Sequence, residues 1–327
     1  MKNTLRLMLA VILACVIFSF GVALGQEKPT VLKLAHINVA NGIIDKQAQK
    51  FAELMASKTK GRVKVDVYPA SQLGTVTEMV EGISMGTISM GLESETMLQM
   101  FDKDFSIISV YFLVSKDMLL KNAYINELRE RVRVKNNIRS LPGLGWRPPF
   151  HLWTQKRLIK TPDELKGIKI RLIQQKTQID MWNNLGATAV PIPWGETYMA
   201  LTQGIANGVV HNIVQIEEEK FYEQLNYCTL LDCFLIGQGI LINDKVYAGL
   251  SPDIQKAMNE AAMEAANYFT GLSAAAEANS RKIMEKTGVK FVEGDRKPWF
   301  EKAQVVMKKM ENDGAWSKGL LKKVGVD

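Results

Sequence analysis

The sequence predicts an α/β fold of two lobes that meet as a clamshell, linked by hinge strands and braced by one long helix. Three observations predict it. Strand-like alternation and helix-like spacing take turns along the first part of the chain. The same order restarts after Pro142-Gly143-Leu144-Gly145, and a helical pattern near the C-terminal end runs too far to fit within one lobe.

In the first part, residues 31–37 alternate as a strand. Ile44, Ala48, Phe51 and Met55 then recur at helical spacing up to Gly61, and Val63, Val65 and Val67 share one face of a strand over 62–68. This is a β-α-β unit. Met79, Val80 and Ile83 space a helix over 75–85 that Gly86 stops, and 88–92 is a short strand. In the second part, Thr161-Pro162-Asp163-Glu164 reads as a capping box that opens a short helix. A strand over 168–172, a helix over 177–185 ending at Gly186, a strand over 187–192, a helix over 195–203 and a strand over 209–216 follow.

After a strand at 239–243, Ser251-Pro252-Asp253 caps a pattern that stays helical to Thr287. At about 1.5 Å per residue, roughly 36 residues span about 54 Å, more than the diameter of a small domain. Such a helix must touch both lobes. Its alanines, among them Ala257, Ala261, Ala262, Ala265 and Ala266, favour helix and permit close packing. A last helix starts at Pro298. The expected division is 26–148 with 237–276 for the first lobe and 149–236 with 277–327 for the second. The cleft between them is the expected ligand site.

Residues 1–25 read as a secretory signal peptide, with Lys2 and Arg6 ahead of an apolar run over 7–24 and cleavage expected after Ala23-Leu24-Gly25. Two alternatives stay open, an uncleaved anchor and lipid attachment at Cys15 in Ile12-Leu13-Ala14-Cys15. No later stretch approaches the roughly 20 apolar residues that cross a bilayer. The net charge of +7 is spread over 327 residues without a dense basic block. The lysines near the C-terminal end read as a solvated helix face, so no nucleic-acid partner is expected.

Cys228 and Cys233 could pair in an oxidising compartment or lie as two buried thiols. No His or Cys cluster completes a metal site beside them, and neither metal nor cofactor is expected. The three histidines, His36, His151 and His211, sit in no HExxH helix, nucleophile elbow or Gly-rich phosphate loop. A Ser-His-Asp or paired-carboxylate site assembled from distant positions remains the enzyme alternative.

Several short stretches are more specific than the pattern. In order they are Leu32-Lys33-Leu34-Ala35-His36, Phe51-Ala52-Glu53, Gly61-Arg62-Val63-Lys64-Val65, Tyr68-Pro69-Ala70-Ser71-Gln72-Leu73-Gly74, residues 161–171, Leu185-Gly186-Ala187, residues 191–201, and Lys220-Phe221-Tyr222-Glu223. Through them the chain resembles the solute-binding proteins of tripartite ATP-independent periplasmic (TRAP) transporters, the DctP-like family. The resemblance covers essentially all of the chain after the leader. It implies a periplasmic binding protein clamshell, type II-like, that closes on a small-molecule organic acid and presents it to membrane permease subunits. It also implies a location in the periplasm. A periplasmic receptor for another transporter or sensor system would share this fold.

The resemblance assigns Arg171, which ends Lys166-Gly167-Ile168-Lys169-Ile170-Arg171, as the residue that forks onto a ligand carboxylate. A guanidinium suits that role, being planar, bidentate and permanently charged. Trp194 falls where the family places an aromatic against the ligand, and Glu196 and Tyr198 match a pair read as structural. Gln174, Glu93 and Ser94 stand where some members place polar contacts. His151 occupies the position of a second arginine in sialic-acid-binding members, and Arg147 could substitute for it. His211 replaces a ligand-contacting Asn unless the register slips by one, to Asn212. The aromatic residues Trp146, Phe150, Trp153 and Trp194 with these two histidines point to a flatter or more apolar acid than a sugar acid.

Arg171→Ala is expected to weaken carboxylate binding by at least about tenfold, while Lys169→Ala does little. Equal losses in a calorimetric titration would sink the assignment.

Overall fold

The computed structural model describes residues 28–326. The signal peptide expected at 1–25, its cleavage point and Cys15 lie outside them. The strands are β1 (Thr30–Ala35), β2 (Val63–Tyr68), β3 (Met90–Ser94), β4 (Ile138–Ser140), β5 (Gly145–Trp146), β6 (Phe150–Thr154) and β7 (Lys169–Leu172). They continue with β8 (Thr188–Pro191), β9 (Gly208–Asn212), β10 (Tyr227–Leu230), β11 (Gly237–Asn243) and β12 (Lys290–Glu293).

The N-terminal β-α-β unit sets the first sheet. Val63 and Val65 pair with Thr30 and Leu32 in a parallel register, and helix α1 (Ile43–Lys58) covers the join with buried Ala48, Phe51 and Met55. That sheet runs β2-β1-β3-β11-β4, with β5 also on β11. The second sheet runs β12-β10-β6-β9-β7-β8. The chain crosses from first to second sheet at 147–149 and returns at 231–236. These crossings are hydrogen-bonded to each other, Arg147 N to Ile236 O at 3.2 Å and Phe150 N to Phe234 O at 3.1 Å, and they form a two-stranded hinge. The architecture is thus the two-lobe clamshell.

Helix α2 (Val76–Met85) opens on a capping box in which Thr75 and Glu78 exchange hydrogen bonds. The box expected at Thr161 does not form. Its hydroxyl caps nothing, Glu164 instead accepts from the Lys160 N–H at 2.7 Å, and Pro162–Leu165 is one 3-10 turn. A second difference matters more for the site. The run 209–216, read as one strand, breaks at Asn212, where β9 ends and helix α3 (Ile213–Glu218) begins, because Asn212 caps it by accepting from Gln215 N at 3.0 Å. An apolar run cannot by its composition distinguish a strand from a buried helix turn.

The long helix α4 (Pro252–Lys286) holds 35 residues. Its buried Ala261, Ala262 and Ala265 share a core with Phe51 and Met55 of α1, and further along Met284 enters the core beneath the second sheet with Trp153 and Cys228. Between them Ser280 Oγ reaches Glu217 on α3 at 3.3 Å. Cys228 and Cys233 are free thiols buried in separate core clusters.

Gly143 shows how closely α4 approaches the first lobe. Its φ of +95° is left-handed, and a β-carbon there would lie 2.7 Å from the Met263 Cα. Gly61, with φ +78°, has open space around it. Gly61→Ala should therefore cost only the backbone term of about 1 kcal/mol, and Gly143→Ala clearly more. Melting temperatures of the two variants check this, and similar losses would count against the close contact.

Candidate functional site

Between the two sheets lies a cavity of about 610 Å3, mouth included. Its polar wall is built at strand ends, where side chains project past the last ladder bonds. Glu93 and Ser94 come from the end of β3, Arg147 from the hinge crossing after β5, Arg171 from β7 and His211 from β9. Trp194 enters from the 3-10 turn Trp194–Glu196 just beyond β8. Phe150, Tyr111, Met97, Ile37 and Ile236 complete the apolar part.

The two arginines differ in how they are paired. Arg147 donates to Gln238 Oε1 at 2.7 Å and Gln215 Oε1 at 3.3 Å, and lies 3.6 Å from the Glu93 carboxylate. Burial lowers the Arg147 pKa and raises that of Glu93, each held back by the other's charge. Arg171 is 5% exposed. Its Nε donates to Ile192 O at 2.9 Å and its guanidinium lies 5.1 Å from the Trp194 ring centroid, yet Nη2 has no protein partner among the described residues. Burial brings its pKa down to about 10, still charged at neutral pH. Arg147 thus has a carboxyl group and two glutamines beside it, whereas no acidic side chain among the described residues pairs with Arg171.

Three further side chains on the wall have a buried polar atom without a partner among the described residues: Asn38 Oδ1, Gln175 Oε1 and His211 Nδ1. The His211 ring stacks between Phe150 at 4.4 Å and Trp194 at 4.6 Å. Burial, then the nearby Arg147 and Arg171 charges, hold its pKa well below the usual value, so it stays neutral. Tyr111 is kept protonated by burial and donates to Gln178 Oε1 at 3.3 Å.

Near Trp194 the two lobes meet at the C-terminal end of α3. Glu219, one residue past it, accepts from Trp194 Nε1 at 2.9 Å and from the Val39 N–H of the first lobe at 3.2 Å. Glu218 accepts from the Ile43 N–H at 2.8 Å, at the start of α1. A β-carbon at Gly42 would meet this Glu218 carboxylate at 2.9 Å, so glycine makes room for it. Burial, opposed by the Ile43 hydrogen bond, pushes Glu218 up to about 7.

The structure thus brings Arg171, Trp194, His211, Arg147, Glu93 and Ser94 to one wall. Three expected residues lie elsewhere. His151 is paired with His211 across β6 and β9, but its Nδ1 accepts from the Leu231 and Asp232 N–H groups at 3.3 and 3.4 Å in a separate hollow. Asn212 is the helix cap described above, and Gln174 is exposed. Its neighbour Gln175 is the buried one, because β7 has ended and Gln175 sits at the N-cap position of helix α5 (Lys176–Leu185). Gln175, Gln178, Tyr111 and Asn38 were missed by the sequence reading. A Gln-Gln pair just past a strand was the one usable clue.

A two-lobe clamshell with a half-partnered guanidinium in its cleft defines a solute receptor. Consistent with that class, the family model DctP, described as "Bacterial extracellular solute-binding protein, family 7", matches residues 34–313. The chain belongs to that family and is a TRAP-type solute-binding protein. A solute-binding protein of Roseobacter denitrificans is 27% identical over 291 residues, covering 88% of each chain. The 2,3-diketo-L-gulonate-binding periplasmic protein YiaO of Escherichia coli is 27% identical, covering 78% of each. Among solved structures, a TRAP periplasmic solute-binding protein of Roseobacter denitrificans with bound L-galactonate superposes with a TM-score of 0.80 at 25% identity, covering 89% of this chain and 99% of that one. One from Sulfitobacter with bound β-D-galacturonate has a TM-score of 0.83 at 21% identity, covering 90% and 98%, and shows the same fold.

Burial brings the His151 pKa down to about 4, against a partial upward pull from Asp232. A base whose folded pKa is depressed contributes stability that is intact above its unfolded value, about 6.5, and is lost as pH falls toward 4. The loss is about 1.4 kcal/mol per pH unit for one such group. Glu218, raised to about 7, acts in the opposite sense, its contribution being present at low pH and lost as pH rises through 7. Unfolding followed from pH 7 to 4 should therefore fall less steeply in His151→Gln than in the parent protein. Parallel curves would contradict the buried neutral imidazole.

Proposed function

We propose that this protein captures a small hydroxylated monocarboxylate between its lobes and delivers it, in the periplasm, to the membrane permease of a TRAP transporter. The observation that carries the reading is the buried Arg171 guanidinium with Nη2 unpartnered. A charge in that position needs an anion. A carboxylate answers it with two coplanar acceptors, while Arg147 already has Glu93 beside it.

The rest of the wall speaks to the remainder of the ligand. Asn38 Oδ1 and Gln175 Oε1 are acceptors in want of donors, which hydroxyl groups supply, while Trp194 and Phe150 give apolar area. This favours a hydroxylated acid over the flatter, more apolar acid read from the aromatic content alone. The bound L-galactonate of the Roseobacter structure and the sugar-acid name of the Escherichia coli relative point the same way. We assign 26–148 with 237–276 and 149–236 with 277–327 as the two bodies that close. Ligand binding works by its differential affinity for the closed form, in which Glu218 and Glu219 reach the first lobe. The role is binding, not catalysis.

A thermal-shift screen against aliphatic, keto, sugar and aromatic acids tests this, with Arg171→Ala alongside. Ligand at a thousand times its Kd should stabilise by about 4 kcal/mol. A hydroxy-acid hit lost in the variant is the expected result; stabilisation by amines or neutral sugars alone would exclude the carboxylate.

A further inference from the structure

Beside the inner cavity, and sharing Ile37, Ile173 and Trp194 with it, is a second hollow of about 720 Å3, mouth included. Both lobes build it. Ser71, Thr75, Thr77 and Glu78 line one side and Gln174 with residues 193–195 the other. Among the described residues its walls hold hydroxyl and amide groups but no lysine or arginine, and the one charged side chain is Glu78.

Glu78 is exposed to solvent and tied to its own helix end. Its Oε2 accepts from Thr75 N at 2.7 Å and Thr75 Oγ1 at 2.8 Å, and these hydrogen bonds hold its pKa below the usual value, so it is an anion throughout the neutral range. The positive end of α2, which would otherwise attract an acid, is already answered by this carboxylate. The two hollows, which share Ile37, Ile173 and Trp194, therefore differ in charge: Arg147, Arg171 and Glu93 line the inner one, and Glu78 the outer one.

We infer that the ligand is longer than the inner cavity, that its uncharged hydroxylated end passes Trp194 into the outer hollow, and that Glu78 rejects a second carboxylate there. The inference rests on the assignment of the acid end to Arg171. It makes the protein a receptor for monoacids that discriminates against the dicarboxylates of equal length.

The test is a pair of acids that differ only at the far end, D-gluconate and D-glucarate, with the four-carbon pair threonate and tartrate beside them, titrated into the whole protein. Glu78→Gln keeps the capping box, since glutamine serves at that position, and removes the charge. Glu81→Gln, exposed on the same helix and outside the hollow, is the control. The parent protein should prefer each monoacid to its diacid. Glu78→Gln should shift that ratio toward the diacid by about threefold to tenfold at low salt, with the shift shrinking at about 1 M salt; Glu81→Gln should leave it unchanged. A parent preference for the diacids, or a ratio that Glu78→Gln does not move, overturns the inference while leaving the Arg171 reading intact if Arg171→Ala still abolishes binding. Monoacid binding that survives Arg171→Ala, or no monoacid binding at all, overturns both.

Discussion

The site is organised around a cation that the protein itself does not neutralise. Arg171 lies on β7, with β8 and β9 paired on either side of it, and is buried among apolar neighbours. A guanidinium taken out of water is tolerated only with compensating contacts. Here the Ile192 carbonyl holds Nε and the Trp194 face lies over the fork, while Nη2 is buried with no partner among the described residues. Arg147, equally buried, is matched by Glu93 and two glutamines. On this contrast between the arginines we base the proposal that the cleft takes a carboxylate at Arg171.

That chemistry depends on two bodies being held together without being fused. Two adjacent crossings make the hinge, and α4 runs past both lobes, its alanines allowing a close approach to α1 before it reaches α3 and the second core. Beside Trp194 the contacts across the cleft are polar, the Glu218 and Glu219 carboxylates on first-lobe N–H groups, whereas Tyr111 packs against Trp182 in an apolar core that both divisions share. Polar contacts of that kind can be exchanged for water when the cleft opens, which apolar packing does not permit so readily.

Most of the fold was legible because hydrophobic periodicity records it. The N-terminal β-α-β unit, the alternation of the second lobe and the span of α4 follow from spacing alone. The segment 95–136 was not legible, since its 3-10 turns and short helices have no sustained period, and its Ile107, Tyr111 and Leu128 are specified by a core that also holds Trp182, Trp299 and Trp316 from far along the chain. Arg171 and Trp194 were read from motif positions. Gln175 was missed by one residue, and Asn212 was misplaced because its capping role is visible only once β9 is known to stop there. His151 and His211 look equivalent in sequence, yet one accepts from backbone behind the sheet and the other stacks in the cavity.

Trp194 touches the inner cavity, the outer hollow and, through Glu219, the backbone of the opposite lobe. In the proposed reading one indole therefore serves both recognition and shutting. Evolution cannot easily exchange it for another ligand's sake without also altering the balance between open and shut forms. Glu78 carries no such double duty, since its hydrogen bonds stay within its own helix end. Diversification of ligand choice among descendants of this receptor should accordingly accumulate at the outer hollow, where a change of taste leaves the moving parts alone.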